Sequence, residues 1–137
     1  MNPSLTPGPD VDVKEDLYRV ITTSAWWVAE EKRPSSAAFK HTTFSTDIAS
    51  IAGSPETTLA RFPVGCGLVV FNCGDAKGLG FLARKEIDPQ YPENLAHANV
   101  YNNAAPSKRK TMAQELIKMI VALNGIVKVP EFPTSAE

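Results

Sequence analysis

The 137-residue chain holds little that would commit it to a membrane, a metal or a nucleic acid. No window approaches the roughly 20 consecutive apolar residues of a membrane span, so no membrane association is expected. The first residues carry no positive stretch followed by an apolar one, which argues against a secretory signal. Cysteine is scarce. Cys66 and Cys73 are the only two, and alternation along one strand would turn them to opposite faces, a poor geometry for a bridge. Two reduced thiols in a cytoplasmic protein are expected. Neither charge sign is in excess: 14 basic residues stand against 15 acidic ones, for a net charge of -1. No global basic field exists to gather nucleic acid, and that partner class is not expected.

Chemical signatures are missing too. His41 and His97 are the only histidines, and neither pairs with a cysteine at finger or ribbon spacing, so no metal is expected. The glycine-rich piece GDAKGLG at 74–80 lacks the Walker spacing and is not G-x-G-x-x-G. It reads as a turn, or one helical turn, with glycine where positive φ is required. No cofactor is identified. No serine sits in a G-x-S-x-G elbow. A Ser45–His97–Asp47 triad can be drawn, but Ser-Thr-Asp puts nucleophile and acid close together on one strand. Lys108-Arg109-Lys110 is a basic run before a helix, where cations oppose the helix dipole; it reads as a solvated loop.

What is present is ordinary for a globular chain: 43% hydrophobic and 21% charged residues. The length suits one domain, which buries roughly two-thirds of its unfolded surface and needs no metal or disulfide to fold. Residues 1–15, with Pro3, Pro7, Gly8 and Pro9, read as a disordered leader. Residues 16–130 form the domain, and 131–137 fray. Strand patterns occur at Leu17–Thr22, Thr42–Asp47, Gly65–Asn72, Phe81–Ala83 and Leu95–Tyr101, with an edge strand in the tail. Ser54-Pro55-Glu56 is a helix start that Pro63 ends near Phe62. Thr111–Leu123 is the best helix, with Met112, Leu116, Met119, Ile120 and Leu123 on one stripe. The sum is an α+β fold: one compact domain, a mainly antiparallel sheet and about three helices.

The candidate site centres on Arg33 to Asp47, RPSSAAFKHTTFSTD. Arg19 adds to it, as a charge sharing a strand face with Leu17 and Ile21. A buried guanidinium there would need a carboxylate or phosphate partner. Arg33 is held extended by Pro34. The spacing predicts ligand binding by Arg19, Arg33, Ser35, Ser36 and Asp47, with His97 as acid or base and Ser45 as its hydroxyl partner. Arg19, Arg33, Ser45 and His97 are expected to converge, with Asp47 anchoring an arginine. The plainer alternative pairs Arg33 with Asp47 and leaves Ser35 capping a short helix from Ser36 to Lys40. The ligand these residues suit is an anionic small molecule or nucleotide. A protein partner is the other option, with Trp26 or Trp27 as an exposed anchor.

At RPSSAAF, with FSTD soon after and AHANV later, the chain resembles a group of uncharacterised bacterial proteins. Their pattern is an arginine early in the first strand, Arg-Pro-Ser-Ser-x-Ala-Phe, Ser-x-Asp and His-Ala-x-Val. The likeness runs from Leu17 to Tyr101 and implies kinship without an activity. LYRVI with Arg19, and FST with Ser45, also resemble the ADP-ribosyltransferase superfamily, including RES-domain toxins. That likeness implies NAD as a ligand. The late glutamate of those folds has no match, and His97 or Glu93 would have to stand in.

Overall fold

Alternation decides the first strand. In β1 (Asp16–Ile21) Leu17, Arg19 and Ile21 face one way and Tyr18 and Val20 the other. A small hairpin follows, β2 (Trp27–Val28) and β3 (Arg33–Pro34), with Lys32 at φ 53 in its turn. Then come β4 (Thr43–Ile48), α1 (Ala49–Ala52), α2 (Pro55–Leu59), β5 (Gly67–Asn72), α3 (Cys73–Leu79) and β6 (Leu82–Lys85). The chain ends with β7 (His97–Tyr101), α4 (Pro106–Ala122) and β8 (Ile126–Lys128). The computed structural model describes residues 8–132. It is an α+β domain whose six-stranded antiparallel sheet runs β6-β7-β4-β1-β5-β8. Among the described residues no helix is long and apolar enough to cross a membrane.

The sheet face that carries Leu17, Ile21, Phe44, Val69, Phe71, Ala98 and Val100 is buried against Met112, Ala113, Leu116, Ile117 and Ile120 of α4. Phe44 and Phe71 meet each other and Phe39 edge to face, with centroids 5.6–6.5 Å apart. A smaller cluster on the opposite face holds Val20, Cys66 and Leu68 under Leu59 and Phe62. Both cysteines are buried and free.

The long helix begins at Pro106, earlier than Thr111. Pro106 takes the first helical position, where its missing N–H costs nothing and its φ is already helical. Lys108, Arg109 and Lys110 therefore lie inside the first turns of α4 and not in a loop before it. Arg109 donates to the carbonyls of Lys40 (3.1 Å) and Ala104 (2.7 Å), which ties the helix start to the segment before β4. The glycine-rich piece forms α3, capped by Asn72 accepting from Asp75 N and stopped by Gly80 at φ 110.

Of the residues placed by sequence in a leader, 9–11 lie along β6, while Val13 O and Glu15 O accept from Gly74 N and Cys73 N at the start of α3. Val11 is buried, and its N–H donates to Ala83 O while Lys85 N–H donates to Pro9 O. In the expected tail, Glu131 N–H donates to Gly65 O. The leader's residues 1–7 and the tail's 133–137 lie outside the described residues.

Candidate functional site

The register of the sheet creates an opening. β1 stays paired with β5 from Asp16 to Ile21, but meets β4 only through Leu17–Ile48 and Tyr18–Asp47. Beyond that point β1 and β4 diverge. A cavity of about 240 Å³ lies there, walled by Arg19, Ser45, Asp47 and His97, with Trp26 and Tyr91 among its aromatic residues.

Arg19 occupies the gap between the strands. It is 7% exposed and on a central strand, not an edge. Its Nε and Nη2 donate to Ala38 O at 3.2 and 2.9 Å, and its Nη1 donates to Ser45 O at 3.2 Å. The guanidinium carbon lies 4.4 Å from the Trp26 ring centre and 4.9 Å from that of Phe44. Burial lowers its pKa to about 10, so it is still charged at neutral pH. Its hydrogen-bond partners are carbonyls. The carboxylate expected beside it is elsewhere.

That carboxylate is committed to Arg61. Asp47 is 3% exposed. Its Oδ2 accepts from Arg61 Nη2 (2.5 Å) and Thr58 Oγ1 (2.7 Å), and its Oδ1 accepts from Asn94 Nδ2 (2.9 Å). Burial pushes the carboxyl up, but these hydrogen bonds and the nearby charge of Arg61 outweigh it and hold the pKa below the ordinary value. Ser54 makes this arrangement possible: its hydroxyl accepts from Thr57 N and starts α2, which brings Thr58 up to Asp47.

Ser45 and His97 do meet. Asp47 and His97 are register partners on β4 and β7, as are Ser45 and Asn99. Exposed Ser45 Oγ lies 3.2 Å from Nε2 of buried His97, and His97 Nδ1 lies 2.7 Å from Glu86 O. A carbonyl can only accept, so the neutral ring carries its proton on Nδ1 and Nε2 accepts from the serine hydroxyl. The triad that the sequence argued against is absent here: the group that orients His97 is the Glu86 carbonyl, while Asp47 is bonded to Arg61, Thr58 and Asn94. Glu86 is itself held by its carboxylate, which accepts from Tyr101 Oη, Asn99 Nδ2 and Gly8 N.

No family model, curated protein or solved structure matches this chain.

Three residues of the expected constellation are not gathered with the others. Arg33 is extended, as Pro34 requires, but β3 belongs to the separate hairpin. Its guanidinium donates to Glu31, and neither it nor Asp47 is the other's partner. Ser35 Oγ donates to Ala25 O at 2.7 Å, and only a 3-10 turn at Ser36–Ala38 follows it. The serine hydroxyl does not cap that turn, because it is already used against the preceding segment. Ser36 begins the turn and does not line the cavity. Trp26 and Trp27 are half-buried and pack on the main core.

Arg61, Thr58 and Asn94 escaped the sequence reading. One signal was present: a helix expected from Ser54-Pro55 to near Phe62 puts Thr58 and Arg61 three residues apart, the spacing of a shared face, although α2 itself ends at Leu59 and Arg61 lies in the turn that follows. Asn94 and Glu86 gave none, since each acts from irregular chain between β6 and β7. Among the described residues no group of three or more His, Cys, Asp or Glu is placed to hold a metal ion.

Proposed function

We propose that the cleft between β1 and β4 binds a small organic anion, with Arg19 as the source of attraction and Ser45 and His97 as its polar contacts. The observation that carries this reading is Arg19 itself. It is a buried cation, satisfied by carbonyls and aromatic faces, on the wall of a cavity. Asp47, the carboxylate nearest in the sheet, is already neutralised by Arg61. A bound anion would supply the countercharge that Arg19 lacks among its bonded partners. The volume of about 240 Å³ is below the roughly 300–1,000 Å³ of drug-sized pockets, which favours a small acid or the charged end of a nucleotide.

NAD is a second reading. It is favoured by one observation, the placement of Arg19 and Ser45 on two strands that flank a single cleft. Thermal shift of the full chain with small carboxylates, inorganic phosphate, nucleotides and NAD tests both. A ligand that binds the folded state raises Tm by mass action. Arg19→Gln should remove the shift. Arg33→Ala should keep it, because Arg33 is bonded to Glu31 outside the cleft. The reading is overturned if no anion shifts Tm, or if the shift survives in a folded Arg19→Gln protein.

A further inference from the structure

We propose that Ser45 is a nucleophile, activated by His97, and that the cleft carries out acyl transfer on small esters of anionic acids. This rests on the cleft proposed above as a ligand site and adds chemistry to it. An ordinary serine hydroxyl is a weak nucleophile and needs an adjacent base. Three features supply one here. Ser45 is exposed while His97 is 4% exposed, so the hydroxyl is reachable and the base is fixed. Nε2 lies 3.2 Å from Ser45 Oγ, within reach of its proton. Nδ1 is anchored 2.7 Å from Glu86 O, which sets the tautomer in which Nε2 is free to accept.

The anchor is itself over-determined. The Glu86 carboxylate accepts from Tyr101 Oη, Asn99 Nδ2 and Gly8 N, so the carbonyl that aims the imidazole cannot drift. Tyr101, Asn99 and His97 share one face of β7, so a single strand carries the base and two of the groups that steady its anchor. Glu86 is a positioning residue in this scheme, acting through His97.

The step balances as follows. Ser45 Oγ bonds to the ester carbonyl carbon, and His97 Nε2 takes the hydroxyl proton. The ester C–O bond breaks, and the alcohol leaves with that proton. Water then attacks the acyl-serine with His97 again as base; the acid is released and Ser45 regains its hydrogen. Ester and water become acid and alcohol, and no oxidant or metal is needed. Arg19, on the wall of the same cavity, would hold the anionic part of the acyl group.

Phenylmethanesulfonyl fluoride tests the nucleophile without needing the natural ligand: Ser45 Oγ displaces fluoride and the proton passes to His97. The full chain should gain one sulfonyl group, mapped by peptide mass spectrometry to Ser45. Ser45→Ala should gain none. His97→Gln should label at least about a hundredfold more slowly, the size of effect a general base provides. If His97→Gln does not fold, wild-type protein in urea is the second arm: labelling should vanish once the geometry is lost. The proposal is overturned if the native chain is not modified, if the label sits elsewhere, or if unfolded protein labels as fast as native. The two readings fail separately. An anion-dependent Tm shift without labelling leaves a binding site and removes the nucleophile. Labelling without any shift keeps the nucleophile and removes the anion.

Discussion

Replacing Arg61 by leucine isolates the electrostatics that shape the cleft. The leucine keeps apolar packing near Tyr91, whose ring lies 5.8 Å from the guanidinium carbon, and deletes the cation. Asp47 then remains buried with Thr58 and Asn94 as donors but without a counterion. Breaking a fully buried pair costs about 3–5 kcal/mol. Here Arg61 is 21% exposed and two neutral hydrogen bonds survive, which places the loss near the 1.5–3 kcal/mol of one charged hydrogen bond. We expect about 2–3 kcal/mol at pH 7, or roughly 6–9 °C in Tm for a chain of this size. The pH dependence is the sharper test. In the wild type the Asp47 pKa lies below its ordinary 3.8, so its stabilisation is present above that value and is lost as pH falls through the folded pKa. In the variant, burial is opposed only by neutral donors and the pKa should rise above 3.8. Its penalty is then largest at neutral pH and is relieved on acidification. The gap between the proteins should narrow from pH 7 to pH 4 in urea titrations. A gap that is equal or wider at pH 4, or below about 0.5 kcal/mol at pH 7, would refute the assignment of Arg61 as the countercharge.

The other expectations concern the scaffold. Leu116 is fully buried between α4 and the sheet, so Leu116→Ala should cost about 2–5 kcal/mol in chemical denaturation; an unchanged curve would sink the packing assignment. Ser54→Ala removes the cap of α2 and should lower stability by about 1 kcal/mol, with no effect expected if Thr57 N is satisfied by water instead. Burial raises both cysteine pKa values, so alkylation without reductant should be slow in the native protein and reach two thiols per chain once it is unfolded; a linked pair would contradict the free thiols.

Much of the fold was legible because it is written in short-range patterns. The strand expected at Leu95–Tyr101 contains β7, and its alternation puts Ala98 and Val100 in the core while His97, Asn99 and Tyr101 carry polar groups on the other face. Ser54-Pro55 gave the start of α2 for the same local reason. The early start of α4 was missed because the basic triplet at 108–110 looked like a loop. A helix tolerates such a run when one member, Arg109, can turn back to the carbonyls of Lys40 and Ala104. The stretch at 33–36 failed differently. Pro34 does hold Arg33 extended, but extension fixes a backbone and not a destination. The hairpin turn at Lys32 brings the chain back beside β2, and Glu31 is the carboxylate Arg33 reaches.

The cleft could not be read from the chain because it depends on where two strands stop pairing. Alternation assigns each residue of β1 and β4 to a face, and on that rule Arg19 and Ser45 point to opposite sides of the sheet. They act on one cavity only because β1 leaves β4 after Tyr18, which lets the Arg19 guanidinium reach through the gap to Ser45 O. Arg19 in turn spans the opening. Its donors satisfy Ala38 O and Ser45 O, and unpaired buried carbonyls would be costly. The residue that looked anomalous on an apolar strand face is thus what allows the sheet to open there. A neutral side chain of similar length could fill the space, but it would leave those carbonyls short of donors and the cleft without its positive wall. The structural demand on Arg19 and the binding role proposed for it therefore fall on the same groups, which is why Arg19→Gln is judged by ligand response in a protein first shown to be folded.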